Sequence, residues 1–257
     1  MAGTKKAGLL LQPRDLKLLS AFSQIRVLDR EMAKAAAGFG STTRANARLL
    51  KLTRAGLLRR CFIGTVGSGR KAVYTPTQKA SDLIALQRTL KRRQDQTLVA
   101  DLFVEHELAV AQVFVTIRHK PIPVQETQAN KWLAFDKPVA PGGPIPDGYF
   151  EIETAAGVRS HFLEVDLGTE TLKVWQKKTL GYLQLAASGE FSRRFGQQQF
   201  RVLVVMTSER RLRHLRLEIA KNTSKIFWLT TFELINRDGF WSAIWLRPTG
   251  DQRLRLL

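Results

Sequence analysis

The run Phe200-Arg201-Val202-Leu203-Val204-Val205-Met206 limits the possible folds of this chain more than any other segment. It is nearly continuous in apolar residues, which suits a strand buried on both faces rather than a half-exposed one. Such a strand needs neighbours in a sheet and further layers to cover it. The surrounding sequence supplies them. Tyr149-Phe150-Glu151-Ile152-Glu153 alternates toward the turn Ala155-Ala156-Gly157, and His161-Phe162-Leu163-Glu164-Val165-Asp166 returns as the second arm of a hairpin. Thr169 or Thr171 can then cap a helix carrying Leu172, Trp175, Thr179, Tyr182 and Leu183. A basic helix is predicted over 209–221, and Ile226–Thr231 and Ala243–Leu246 read as further strands. Strands, helix, strand, helix, strand is the order of a mixed α/β sheet with helices on its faces. Upstream, residues 98–118 read as a helix. Six prolines between 121 and 146 bar long regular elements, leaving Lys131–Phe135 as a short strand.

The first hundred residues follow another pattern. Pro13 opens a helix in which Leu18 or Leu19, Phe22 and Ile25 recur at helical spacing. Asp29 can cap a second helix over 30–37, broken by Gly38-Phe39-Gly40. Ser41, Thr42 or Thr43 can cap a third, with Ala45, Leu49 and Leu52 as its apolar stripe and Gly56 as its end. Helix, tight turn, helix is the helix-turn-helix order. Leu57–Ile63 and Ala72-Val73-Tyr74 then read as two strands around a glycine-rich basic tip, Gly64–Lys71. A hairpin with a basic tip directly after a third helix is the wing of a winged helix. A phosphate-cradling nucleotide loop is the competing reading of those glycines, but the lysine-serine ending and the helix it requires are missing. Thr77 can cap a further helix through Leu83, Leu86 and Leu90 into Lys91-Arg92-Arg93. The polar stretch Gln94–Gln96 marks the joint. The expected organisation is therefore α+β: a winged helix-turn-helix domain over 1–95, then a mixed α/β domain over 96–257.

Charge indicates the partner. The chain has a net charge of +19 and a pI near 10.7. Lys and Arg outnumber Asp and Glu by 20 to 5 in residues 1–100, but only by 21 to 17 in 101–257. A cationic front end joined to a near-balanced remainder fits a module that grips a polyanion such as double-stranded DNA. The candidate contacts are Thr43, Arg44, Arg48, Lys51 and Arg54 on the third helix and Arg70 and Lys71 at the hairpin. Arg44, Arg48 and Lys51 lie side by side at spacings of four and three, and such a helix can enter the major groove. A solvated charged face is the alternative. A lipid surface is the weaker partner, because no segment reaches the roughly 18–20 apolar residues of a membrane span. The short Gly8–Leu11 run ended by Pro13 falls short of a signal-peptide core. The single cysteine, Cys61, rules out an internal disulfide and suits a reducing cytoplasm. It lies among strand residues and is expected to be a buried structural thiol. No His/Cys cluster suggests zinc.

The acids of the second half form a distinct constellation. Asp147 precedes the first hairpin strand. Glu164 and Asp166 stand two apart on the second, so their side chains share a face. Carboxylates gathered at a sheet end repel one another, and a divalent cation relieves that repulsion. Asp147, Glu164 and Asp166 are thus candidate ligands for magnesium or manganese, in a metal-assisted phosphodiester chemistry. Lys177 or Lys178 on the next helix is the candidate electrostatic assistant, and Lys178 shares a helical face with Tyr182. Surface ion pairing is the competing reading of all these residues.

Several short motifs occur in a familiar order. Pro13-Arg14-Asp15, Arg48-Leu49-Leu50-Lys51-Leu52, Ala55-Gly56-Leu57-Leu58 and Val73-Tyr74-Thr75-Pro76-Thr77 resemble the winged-helix half of the replication-relaxation family of plasmid and mobile-element proteins. His106-Glu107-Leu108-Ala109-Val110, Pro146-Asp147, Phe162–Glu170, and Lys178 with Tyr182 resemble its second half. That half also resembles the restriction-endonuclease-like PD-(D/E)xK group, which implies Asp147 and Glu164 as metal ligands. Asp166 stands where that group usually has its lysine, and members that move the lysine to the adjacent helix would nominate Lys178, with Lys177 behind it. The resemblance implies a DNA-binding protein of plasmid replication or mobilisation in the bacterial cytoplasm, associated with nucleoid or plasmid. Its partners would be relaxosome or replication proteins. The alternatives are a magnesium-dependent DNA endonuclease and a non-catalytic accessory factor or transcriptional regulator. A homodimer would suit a palindromic site, although no heptad repeat marks one.

Overall fold

The structure, a computed structural model, describes residues 9–64, 69–84 and 98–257. Those residues form an α+β protein with nine helices and two sheets among them. The chain divides into two compact units, Met1–Val115 and Thr116–Leu257. The helix read as opening the second module lies mostly within the span of the first unit.

In the first unit, α1 (Pro13–Ala21) starts at its proline. Just before it, the backbone N–H of Gln12 donates to Asp15 Oδ2 at 2.7 Å. The two-residue strand β1 (Leu28–Asp29) leads into α2 (Arg30–Ala37), where Asp29 accepts the N–H of Met32 at 2.8 Å. α2 stops at Gly38, whose φ of +67° is left-handed and suits glycine. α3 (Thr42–Arg54) follows, and of the three expected caps it is Ser41 whose hydroxyl accepts from Arg44 N–H, at 3.3 Å. Leu18, Leu19, Ala45, Leu49 and Leu52 are fully buried between these helices. Each such leucine contributes roughly 1.5–3 kcal/mol. β2 (Leu58–Gly64) and β3 (Arg70–Pro76) pair antiparallel, and β1 joins the other side of β3, giving the order β1-β3-β2.

The hairpin tip, Thr65–Ser68, lies outside the described residues. α4 (Gln78–Leu83) is capped by Thr77, which accepts from Ala80 N–H at 3.3 Å. Its expected continuation through Leu86 and Leu90, the Lys91–Arg93 run and the polar joint at 94–96 also lie outside the described residues. α5 spans Leu98–His119. The reading of Cys61 as buried is overturned, because this thiol is exposed. β2 is an edge strand anchored by Leu58 and Ile63, and its middle four residues, Arg59–Phe62, all face solvent.

The second unit is built on the sheet β4-β5-β6-β7-β8. β4 (Gln128–Leu133), β5 (Gly148–Thr154) and β6 (Gly157–Asp166) run antiparallel. α6 (Leu172–Ala187) and α7 (Glu190–Phe195) lead to β7 (Phe200–Met206), which lies parallel to β6. α8 (Glu209–Ala220) leads to β8 (Phe227–Thr231), parallel to β7, and α9 (Phe232–Asp238) follows. The run that most constrained the sequence is therefore flanked on both sides. Strand alternation divides its side chains between two faces. Val202, Val204 and Met206 join Phe162, Trp175, Tyr182, Phe191, Leu212 and Leu215 in one core, covered by α6, α7 and α8. Arg201, Leu203 and Val205 go to the opposite face. The strand expected at Ala243–Leu246 is reduced to bridges, Leu229 to Leu246 and Trp245 to Leu254, because that segment has no consecutive partners. Gly148 is required by packing, since a Cβ there would come 2.7 Å from the Trp132 ring.

Candidate functional site

On α3, helical spacing turns Ala45, Leu49 and Leu52 inward and leaves Thr43, Arg44, Lys51 and Arg54 exposed. Arg44, Lys51 and Arg54 make no ion pair among the described residues. Arg48, between them, is engaged. Its Nε donates to Asp15 Oδ1 at 2.8 Å, and its Nη2 donates to the Leu10 carbonyl at 2.8 Å and to Asp15 Oδ2. The Asp15 side chain is wholly buried and that of Arg48 is 12% exposed. This bidentate pair is of the strong, charge-assisted kind, and the hydrogen bond to Asp15 raises the Arg48 pKa further. Arg48 therefore ties α3 to the start of α1, while its neighbours project freely. A depression of about 200 Å³ opens beside it, lined by Gln12, Arg14, Phe39, Arg44, Ala47, Arg48 and Lys51. Arg14 lies over the Phe39 ring, 5.8 Å from its centroid. On the hairpin, Arg70 is exposed without an ion pair among the described residues, whereas Lys71 pairs with Asp29, the cap of α2.

Sequence reasoning missed two residues of this surface. Arg14 sits on another helix, and its one signal was the acid beside it, which the Arg48 pair now explains. Asn46 is exposed on α3 among the cations, and an amide there can pair with a base edge.

In the second unit, Glu164 and Asp166 share the face covered by α6 and α8, as their spacing required. Both are buried. Glu164 Oε1 accepts from the Tyr182 hydroxyl at 2.6 Å, and Oε2 from Lys178 Nζ at 2.9 Å. Lys178 also pairs with Glu170 at 2.8 Å and lies 5.0 Å from the Trp175 ring centroid. Lys177 is exposed, so of the two lysines only Lys178 meets the carboxylates. Burial pushes the Glu164 carboxyl up to about 7, against the pull of Lys178, and the nearby charge of Asp147 raises it further. The neighbouring carboxylates hold Lys178 protonated well above the usual lysine range. Asp166 is held differently. Its Oδ2 accepts from the Trp175 indole at 2.6 Å and from Arg211 Nη2 at 2.7 Å, and its Oδ1 from Gly168 N–H at 2.5 Å. Asp147, half-buried, accepts from Val165 N–H at 2.7 Å and donates its own N–H to the Leu163 carbonyl at 3.0 Å.

The hard oxygens of Asp147, Glu164 and Asp166 are chemically suited to magnesium or manganese. Their geometry does not fit a preformed three-carboxylate centre. Among the described residues, no three His, Cys, Asp or Glu side chains stand together in a way that could hold an ion. Both oxygens of Glu164 and both of Asp166 already accept from protein donors. The carboxylates are offset by Lys178 and Arg211, the role a metal would otherwise fill.

Fold and site together define an α+β protein of two units. One carries, on the exposed face of α3, cations that make no ion pair among the described residues, and the other holds Glu164 and Asp166 inside a mixed sheet. The family model described as Replication-relaxation matches residues 16–199, and the chain belongs to that family. Membership points to a role in the replication or mobilisation of a plasmid or other mobile element. No curated protein and no solved structure matches the chain. Among the described residues no helix is long and apolar enough to cross a membrane.

Proposed function

We propose that the chain is a double-stranded DNA-binding accessory factor for the replication or mobilisation of a plasmid or mobile element. In this reading the first unit is a winged helix-turn-helix domain and the second a restriction-endonuclease-like domain that works without catalysis. α3 is the groove-reading helix. Arg44, Lys51 and Arg54 contact phosphates, Thr43 and Asn46 face base edges, and Arg70 brings the hairpin to the backbone. Arg48 positions α3 by holding Asp15. The observation that carries the reading is the row of exposed cations on α3 that make no ion pair among the described residues, next to a buried ion pair that fixes the helix. The internal pairing of Glu164 and Asp166 supports the non-catalytic half of the reading.

Fluorescence anisotropy of a labelled duplex titrated with the full chain tests it. Binding should weaken roughly tenfold or more in the double variant Arg44→Ala, Lys51→Ala at low salt. Equal affinity in wild type and double variant would remove α3 as the interface.

One observation favours a second reading, a magnesium- or manganese-dependent nuclease: Asp147 lies close enough to raise the Glu164 carboxyl. Incubation with supercoiled plasmid separates the two. Nicking lost in Asp147→Asn and Glu164→Gln would establish the nuclease. Intact plasmid with both metals would favour the accessory factor.

A further inference from the structure

The sheet face opposite Glu164 and Asp166 carries an arginine cluster that the proposed function leaves unused. Arg159 of β6 and Arg201 of β7 both donate Nη1 to the carbonyl of Leu256, at 2.8 and 2.9 Å. Arg201 also lies over Trp228 of β8, 4.5 Å from the ring centroid, and Arg247 approaches the same ring at 5.4 Å. Three guanidiniums thus gather around one carbonyl oxygen and one indole. None of the three makes an ion pair among the described residues. Arg247 donates one bond, to the Ser224 carbonyl at 2.9 Å, while its Nε is buried without an acceptor. His161, the register neighbour of Arg201, is fully buried and stacked 4.9 Å from Phe150, with the Arg159 backbone beside its ring.

Like charges held this close without an acid are costly, and buried donors without acceptors add to the cost. The surroundings register the same potential. Burial lowers the Arg201 pKa, and Arg159 and Arg247 lower it further. Burial, together with Arg201 and Arg159, depresses His161 to about 3 and keeps it neutral. Elsewhere in this unit, partly buried cations meet buried carboxylates: Lys178 with Glu164 and Arg211 with Asp166. Here no carboxylate pairs with them among the described residues, and a peptide carbonyl stands where an anionic oxygen would be held more strongly.

We propose that Arg159 and Arg201, joined at the Leu256 carbonyl, and Arg247, which shares the Trp228 ring with Arg201, form a phosphate-binding site on the sheet face opposite the carboxylates. A tetrahedral oxyanion matches the convergent guanidiniums, which can donate to several of its oxygens at once. The source of the phosphate is either the backbone of bound DNA or a free phosphate. Only the DNA source rests on the proposed function, and the site itself does not.

Isothermal titration of the full chain with inorganic phosphate, without DNA, tests the site. Saturable binding is expected, with at least a tenfold loss of affinity in Arg201→Gln and in Arg247→Gln. Arg213→Gln, an exposed cation on α8, should leave it unchanged. If circular dichroism shows Arg201→Gln unfolded, Arg247→Gln decides. No saturable heat in wild type, or equal binding in a folded Arg247→Gln, overturns the proposal. Duplex titrations then assign the source. A salt slope reduced by about 0.9 in Arg201→Gln assigns the phosphate to the DNA backbone. An unchanged slope beside lost phosphate binding assigns it to free phosphate. Failure of wild type to bind any duplex would end the proposed function and leave the phosphate result standing.

Discussion

The two units use their cations for different ends. In the first, the buried acids Asp15 and Asp29 each take one cation, Arg48 and Lys71. Arg44, Lys51, Arg54 and Arg70 stay exposed with no acid among the described residues. In the second, Lys178, Arg211, Arg216 and Arg253 are drawn to Glu164, Asp166, Asp251 and Glu209, and the partly buried Arg159, Arg201 and Arg247 meet backbone carbonyls instead. The difference teaches that net charge does not locate affinity for a polyanion. What matters is cation without an acid, carried on an element that is itself fixed, and α3 meets both conditions because the Arg48 pair anchors it.

The largest effect expected from this contrast lies in the second unit. Asp166→Ala would leave Arg211 and the Trp175 indole without their acceptor. It should cost about 3–5 kcal/mol in urea or thermal unfolding. A cost under about 1 kcal/mol would mean that Arg211 is as available as the cations of α3, and the contrast would fail.

Arg48→Ala comes next. It uncovers a buried Asp15 and should destabilise the first unit by about 2–4 kcal/mol, with DNA affinity falling only as far as the folded fraction falls. An intact fold with a loss of affinity equal to that of Lys51→Ala would make Arg48 a DNA contact rather than an anchor.

The pH dependence around Glu164 is smaller. Its carboxyl titrates at about 7 in the folded protein, against an ordinary value of 4.5. The unfolded chain therefore releases this proton first as pH rises. Between those two values, ionisation of Glu164 lowers stability, by on the order of 1–3 kcal/mol in all. His161, held near 3 against 6.5, acts in the opposite sense, and its burial costs stability as pH falls. The difference between wild type and Glu164→Gln isolates the first effect, and unfolding free energies from pH 5 to 7 should move in favour of the variant as pH rises. A constant difference would place the Glu164 carboxyl at an ordinary value. The smallest stability effect should be that of Lys51→Ala, within about 0.5 kcal/mol of wild type, even though its DNA affinity falls.

Much of the frame was legible in the sequence because local chemistry wrote it. Asp29 and Thr77 cap the helices they were expected to cap, and the apolar run at Phe200–Met206 became a flanked strand. The Glu164–Asp166 spacing put both acids on one face. Their partners were less legible. Lys178 could be nominated from its helical face, but Arg211 lies 45 residues from Asp166, and Arg48 lies 33 from Asp15. No periodicity encodes such pairings, so a row of three arginine and lysine residues on α3 read as equivalent when one of them was already taken. Cys61 misled for a related reason. A strand pattern does not say whether the strand lies at an edge, and β2 does.

The salt dependence of duplex binding by the full chain tests the central claim most directly. If the unpaired cations of α3 hold the backbone, the logarithm of the affinity falls linearly with the logarithm of salt concentration, by about 0.9 for each phosphate contacted. The double variant Arg44→Ala, Lys51→Ala should then flatten that slope by about 1.8. A slope near zero in wild type, or the same slope in wild type and variant, would contradict the account.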